Sequence, residues 1–371
     1  MKTGFILIAL AILLSLNSYV IVRGWQALPP ASVYRPIYLV TCIALFIALF
    51  VGTIFGNTMS PFMAKAVSFA GFSYIIIFIY LFLSFLAVDL VRIANYFIHF
   101  APAGMAAFRL WAMLVTLAVT GIAMGVGNYK FNHPKIVELN LSANKPSQHK
   151  ELKIVAASDI HLGSSIDKKR LQSYVKLIND QHPDIVLLAG DVSDRSMTPV
   201  IAQHMDEELR EIKAPLGVYA INGNHEHYAE SPNATAEYLK SAGIKVLRDE
   251  VALVDSSFYI VGRNDRSNLR RMNLNDLMKG LDPTKPTILL DHQPYHLEEA
   301  EQNNIDLQIS GHTHNGQFFP GNLFVKSMYE LGYGYLKKGK TNYYVSSGLG
   351  IWGPQYRIGT QSELVVIYLK I

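Results

Sequence analysis

The sequence predicts an α/β domain preceded by four transmembrane α-helices, and three observations predict it. Apolar residues crowd the first 128 positions, where charges are few, whereas the rest of the 371-residue chain has the mixed polarity of a soluble domain. In that second part, short apolar runs alternate with stretches of helical periodicity, the pattern of an α/β fold. Five of those runs lead directly into turns that carry Asp, His or Asn. The chain therefore divides into a membrane region at 1–128, a connector at 129–150 and a folded domain at 151–371, the last long enough to bury its own core.

Four stretches, 4–22, 37–56, 66–88 and 110–126, contain no Asp, Glu, Lys or Arg. Each approaches or exceeds the ~17–20 residues that cross the hydrocarbon core of a bilayer as a helix. Interface markers fill the connectors: Arg23, Trp25, Pro29, Pro30 and Arg35, then Pro61 and Lys65, then Asp89, Arg92, Tyr96, Phe97 and Arg109. The first stretch follows Lys2, as in a signal peptide, but it continues to Val22 without a small-x-small cleavage site, and we take it as a span. Asp89 and Arg92 are either a buried functional pair within the membrane or an interfacial pair at a helix end, and we take the second reading. Four crossings put both termini on one face. Lys2, Lys65, Lys130 and Lys135 flank that face, against Arg23, Arg35, Arg92 and Arg109 on the other. The N-terminal amine tips this even count toward an integral, multi-pass cell-membrane protein with its folded domain in the cytoplasm.

Composition narrows the function classes. The net charge of +4 is spread along the chain and not gathered in a basic stripe, which argues against a nucleic-acid partner. The single cysteine, Cys42, lies in an apolar run, so intrachain disulfides and multi-thiolate metal sites are excluded.

In the soluble part, residues 154–157 lead into Asp159-Ile160-His161 and residues 185–189 into Gly190-Asp191. Residues 218–221 lead into Gly223-Asn224-His225-Glu226, 287–290 into Asp291-His292, and 307–310 into Gly311-His312-Thr313-His314. Ligand sites in open α/β sheets collect beyond the carboxyl ends of the strands, so these five turns can converge. Between them, 167–180 has helical periodicity and stops at His182-Pro183, while 234–242 ends at Gly243, a usual residue after a helix. Ile136, Val137, Leu139 and Leu141 suggest a short strand in the connector.

Asp159, His161, Asp191, Asn224, His292, His312 and His314 supply enough carboxylate, imidazole and amide groups for two neighbouring cations with one shared carboxylate. Such a donor set suits Mn, Fe or Zn. A two-metal site makes a nucleophile from water at neutral pH and clamps a phosphoryl group. Two further features admit two readings each. The run Arg263, Asp265, Arg266, Arg270, Arg271 is either an anion-binding patch or a solvated helix start. The aromatic residues between 317 and 356 are either a wall for acyl chains or ordinary core.

The order Asp-x-His, Gly-Asp, Gly-Asn-His-Glu, a lone His and Gly-His-x-His, from Asp159 to His314, resembles the calcineurin-like metallophosphoesterase superfamily. The tail, with Tyr344-Val345-Ser346, Gly348-Leu349-Gly350 and Arg357, is similar to the YkuE-like bacterial branch, whose members often carry N-terminal hydrophobic anchors. The resemblance implies a two-sheet β-sandwich flanked by helices. It implies that Asp159, His161 and His314 hold one divalent metal ion, Asn224, His292 and His312 a second, and that Asp191 bridges them. His225 would stand outside the metals and protonate the leaving oxygen or stabilise the transition state. Glu226, where an Asp is common, would orient His225, and Asn315 stands where that branch often has Gly. The expected function is hydrolysis of a phosphoester or pyrophosphate bond, with the bilayer as partner and a lipid-linked substrate. The alternatives are a nuclease or cyclic-nucleotide phosphodiesterase, and a non-catalytic metal-binding scaffold. The complete ligand set favours catalysis.

Overall fold

The computed structural model describes residues 2–100, 105–143, 145, 147–229 and 233–371. The chain divides into two units, Met1–Val126 and Gly127–Ile371.

The first unit is built from helices α1 (Lys2–Ala27), α2 (Tyr34–Phe55), α3 (Pro61–Ile98) and α4 (Ala106–Asn132), the last of which ends in the second unit. All four are long and apolar enough to cross a membrane. The helices run past the apolar stretches. Arg23 and Trp25 lie within α1, and Asp89, Arg92, Tyr96 and Phe97 within α3, where the sequence suggested connectors. The cause is elementary. A helix satisfies its own backbone polar groups, so it need not stop where the hydrocarbon does, and long cationic side chains reach outward to water. Val20, Leu81, Phe85 and Met113 form a small core among these helices. Polar contacts join them as well: Tyr74 donates to Asn17 at 2.6 Å and Thr116 to Ser84 at 2.7 Å.

The second unit stacks two six-stranded sheets. The first, in spatial order, contains β1 (Lys135–Ser142), β12 (Glu363–Lys370), β2 (Glu151–Ala157), β3 (Ile185–Ala189), β4 (Val218–Ile221) and β5 (Lys245–Leu247). The second contains β10 (Gly334–Lys338), β11 (Thr341–Val345), β9 (Leu307–Ser310), β8 (Thr287–Leu290), β7 (Phe258–Gly262) and β6 (Glu250–Val254). Both are mixed. β2 to β5 run parallel, but β12 enters antiparallel to β2, and antiparallel strands also close both edges of the second sheet.

Side-chain alternation assigns the layers. Ile185, Leu187 and Ala189 face the second sheet, packing with Phe258, Ile288, Leu290 and Ile309. Val186 and Leu188 face outward, against Leu171, Tyr174, Val175 and Ile178 of the helix Lys168–Asn179. Asp167 starts that helix by accepting from Arg170 N at 3.0 Å. On the far side, Val261, Leu289 and Tyr343 pack on Leu274, Leu277 and Leu297. The result is helix, sheet, sheet, helix, the flanked sandwich expected. Strands buried on both faces explain why the runs before the ligand turns are continuously apolar.

β1 pairs in parallel with β12 along its whole length and sends Leu141 into the core between the sheets. Leu141→Ala should therefore cost ~2–3 kcal/mol, seen as a fall of about 5–10 °C in the thermal midpoint of the second unit. An unchanged midpoint would show that β1 is not part of that core.

Candidate metal centre

The turns after β2 and β3 lie side by side. Asp159 N donates to Gly190 O at 3.0 Å, His161 N to Asp191 O at 3.0 Å, and Leu162 N to Val192 O at 2.9 Å. This ladder of backbone bonds fixes Asp159, His161 and Asp191 relative to one another. The turn after β9 joins them, because His312 N donates to both carboxylate oxygens of Asp159, at 3.0 and 3.1 Å. The turn after β4 joins too, with His225 N donating to Asp191 Oδ1 at 2.9 Å. Five side chains at the centre, those of Asp159, His161, Asp191, His312 and His314, sit on backbone with φ between +49° and +72°. Non-glycine residues rarely take that conformation, and its clustering here marks a functional site. Two glycines are needed for a different reason. A Cβ on Gly223 would collide with the Asp191 carboxylate, and one on Gly311 with that of Asp159.

These turns bring all seven expected ligands together. Three groups of side chains have ligand atoms mutually within 4.8 Å: Asp159, His161 and His314; His161, Asp191 and His225; and Asp191, His292 and His312. Asn224 joins the third, its Oδ1 standing 3.2 Å from His292 Nε2 and 2.7 Å from His312 Nδ1. Nε2 of His161 and of His314 are 3.1 Å apart. Two imidazole nitrogens so close need a proton or a cation between their lone pairs.

The surrounding groups fix protonation. His292 Nδ1 lies 2.8 Å from Ala189 O, a contact that uses its N–H, and Nε2 stands 3.1 Å from Asp191 Oδ2. Burial opposes a charge on this ring, but the Asp191 carboxylate outweighs it and raises the pKa of His292. Burial lowers the pKa of His161, His312 and His314, which favours the neutral form that ligates cations. Nδ1 of His161 and of His314 are buried without a hydrogen-bond partner. Burial also opposes the charge on Asp191, but the imidazoles of His292 and His161 outweigh it and hold the carboxyl well below its usual range. Three imidazoles that burial drives to the neutral form, buried carboxylates and unmet nitrogens together fit divalent metal.

His225 and Glu226 do not pair as the sequence suggested. Glu226 is fully buried and accepts from the backbone N–H groups of Asp191 (3.1 Å), Ser193 (2.8 Å) and Gly223 (2.7 Å). Its pKa is pushed up to about 7 by burial and by the charge of Asp191. Asp194 takes the expected place beside His225, with Oδ1 2.7 Å from Nδ1. Although burial disfavours the charged ring, this hydrogen bond raises the pKa of His225. Sequence reasoning missed Asp194. Its signal was a second carboxylate three residues after Asp191, in the same turn.

Two more residues went unassigned. Arg357 is fully buried and donates to the carbonyls of His314 and Gly348, each at 3.0 Å, so it pins the His314 turn. The Trp352 ring meets His225 edge-on, with centroids 6.3 Å apart. The arginine run is largely committed to local pairs. Arg263 and Arg271 both bind Asp291, and Arg266 lies over the Tyr295 ring.

Fold and donor set together define a calcineurin-like phosphoesterase, and the profile of that family matches residues 152–316. The chain belongs to this family of metal-dependent hydrolases acting on phosphoester bonds. An uncharacterised metallophosphoesterase of Campylobacter jejuni is 32% identical over 263 residues, which cover 69% of this chain and 68% of the relative. A transmembrane protein with metallophosphoesterase domain from Danio rerio is 32% identical over 277 residues, 70% of this chain and 62% of that protein. This chain thus spans slightly less than two thirds of the zebrafish relative. The uncharacterised metallophosphoesterase YkuE of Bacillus subtilis is 27% identical over 264 residues, 66% of this chain and 90% of that one. Four apolar helices and a relative named as a transmembrane protein mark the chain as a membrane protein.

The close approach at Gly223 can be tested directly. Gly223→Ala should displace Asp191 and lower the divalent metal that copurifies with the chain, with secondary structure by circular dichroism unchanged. Metal content equal to wild type would show that the close approach is not needed.

Proposed function

We propose that the chain is a membrane-anchored phosphohydrolase that uses two divalent metal ions, drawn from Mn, Fe and Zn, to cleave a phosphoester or pyrophosphate bond of a lipid-linked substrate. The observation that carries the two-metal reading is the position of Asp191. Its Oδ2 is 3.1 Å from Nε2 of His292 and 3.8 Å from Nε2 of His161, so one carboxylate faces both ligand groups. Asp159, His161 and His314 would hold one ion, Asn224, His292 and His312 the other, and Asp191 both. Bound metals supply Lewis-acid stabilisation of a phosphoryl transition state and a nucleophile at neutral pH.

The chain's own residues do the rest. Asp194 holds Nδ1 of His225, which leaves Nε2 to give a proton to the departing oxygen and biases the ring toward the charged form that carries one. Glu226 keeps the turns after β3 and β4 together through three backbone amides. A nuclease reading lacks a basic stripe in the sequence, and a scaffold reading leaves a complete donor set unexplained. The charge count of the helix flanks supports a cytoplasmic catalytic domain.

The lipid part of the proposal rests on the segment C-terminal to His314. Of the aromatic residues there, Tyr343, Tyr344 and Tyr356 are core. Phe319, Phe324, Tyr333, Tyr335 and Trp352 are exposed, as are Leu323 and Met328 of the helix Gly321–Met328. A short helix that turns Leu, Phe and Met to the surface suits contact with acyl chains.

Two experiments test this. His225→Ala should keep its metal and lose about 10²–10⁴-fold in kcat on an alkyl phosphodiester. The defect should be much smaller on a nitrophenyl ester, whose leaving group needs no proton. An equal defect on both refutes proton donation. Separately, residues 127–371 alone should match the full chain on a soluble chromogenic ester but fall behind it on lipid phosphates in mixed micelles. If neither form prefers the lipid, the substrate assignment is wrong.

A further inference from the structure

Residues 1–126 contain one carboxylate, Asp89, against six Lys and Arg side chains. Three of the six gather around it. Arg23 Nη2 is 2.6 Å from Asp89 Oδ2, and Arg92 Nη1 is 2.9 Å from Oδ1. Tyr19 also donates to Oδ2 at 2.9 Å, so both oxygens are engaged. Arg109 lies beside this group in the same cavity lining. Nε of Arg109 and Nε of Arg23 are both buried without a hydrogen-bond partner. Asp89 balances one of the three guanidinium charges and leaves two. The segment joining α3 to α4, His-Phe-Ala-Pro-Ala-Gly-Met at 99–105, brings no carboxylate.

These side chains line a cavity of about 520 Å³, walled by Arg23, Asp89, Arg92, Asn95, Tyr96 and Arg109. That volume lies in the range of small-molecule sites. Buried N–H donors without acceptors and uncompensated charge beside apolar helices are both costly, and one ligand class relieves both. It must carry negative charge and several oxygens in a compact array. Guanidinium forks match phosphate oxygens in pairs, which an isolated halide or a single carboxylate does not exploit as fully. Ile93 and Met105 complete the lining and leave an apolar side to the cavity. A phosphate esterified to a membrane lipid meets both the arginines and that apolar side.

We propose that this cavity, lined by residues of the membrane unit alone, binds a phosphate group, held by Arg23, Arg92 and Arg109. Arg109 is the residue to change, because among the described residues it takes part in no ion pair, whereas Arg23 and Arg92 both pair with Asp89. The full chain in detergent is titrated with phosphatidylglycerol in mixed micelles and, separately, with inorganic phosphate, followed by microscale thermophoresis. Arg109→Gln is compared with wild type, with Arg109→Lys, and with Arg35→Gln as a charge-matched control outside the cavity. Inorganic phosphate can also occupy the metal centre, so only the binding that depends on Arg109 counts. The expected result is saturable phosphatidylglycerol binding that Arg109→Gln weakens roughly tenfold, the loss of one or two charge-assisted hydrogen bonds. Arg35→Gln should bind as wild type, and Arg109→Lys should retain most of the affinity. An Arg109-dependent phase with inorganic phosphate alone would support the site and assign it to free phosphate. If Arg109→Gln, eluting as a single species, binds both probes as tightly as wild type, the proposal is overturned.

Discussion

The carboxylate of Asp191 sits at 2% exposure between two sets of imidazoles, and its burial governs the shape of the catalytic unit. A charge removed from water to this degree is costly unless donors and opposite charge surround it. The fold provides the donors from backbone, with His225 N on Oδ1, and aims Nε2 of His292 and His161 at Oδ2. The neighbouring turn must then pass so close that residue 223 has no room for a side chain. The left-handed backbone at Asp159, His161, Asp191, His312 and His314 follows from the same demand. Side chains must leave five strand ends and converge on a volume a few ångströms across.

Convergence alone would not hold, because each turn has its own freedom. Glu226 removes much of it. Its carboxylate spans the amides of Asp191, Ser193 and Gly223, joining the turns after β3 and β4, and a glutamate has the reach that three donors on two turns require. Arg357 does the same for the His314 turn, which it ties to Gly348. Neither residue needs to touch substrate to matter. Both convert a set of loops into a fixed frame, and accurate placement of first contacts depends on such supports.

Much of this was legible in the sequence. Apolar runs ending in Asp, His or Asn mark strand ends facing one region, since a parallel strand buried on both faces has no other place for polar chemistry. What the sequence hid has physical causes. Alternation of strand and helix does not reveal that β12, from the C-terminus, inserts between β1 and β2, since pairing across more than 200 residues leaves no local trace. Asp194 was invisible because a carboxylate in a turn is ordinary until its partner, 31 residues on, is known to lie 2.7 Å away. The aromatic segment divided because a β-strand alternates faces. Both faces of β11 happen to be interior, so Tyr343 and Tyr344 are core, while aromatic residues on the loops to either side are free to remain outside.

The two units can be compared by the sign of the charge each leaves unanswered. At the catalytic centre, the buried carboxylates of Asp159 and Asp191 meet one ligand imidazole, His292, whose pKa Asp191 raises, and three that burial drives to the neutral form, so the imbalance is negative. At the arginine cavity, Asp89 faces three guanidinium groups, and the imbalance is positive. Structural ion pairs tend toward neutrality, because an excess in either direction costs desolvation without return. An excess that persists, with buried nitrogens unpartnered in both places, is what a protein shows when part of its charge balance is supplied from outside. The sign then names the class of visitor, a cation in the unit whose chemistry was readable from sequence, and an anion in the one whose sequence spoke only of hydrophobicity.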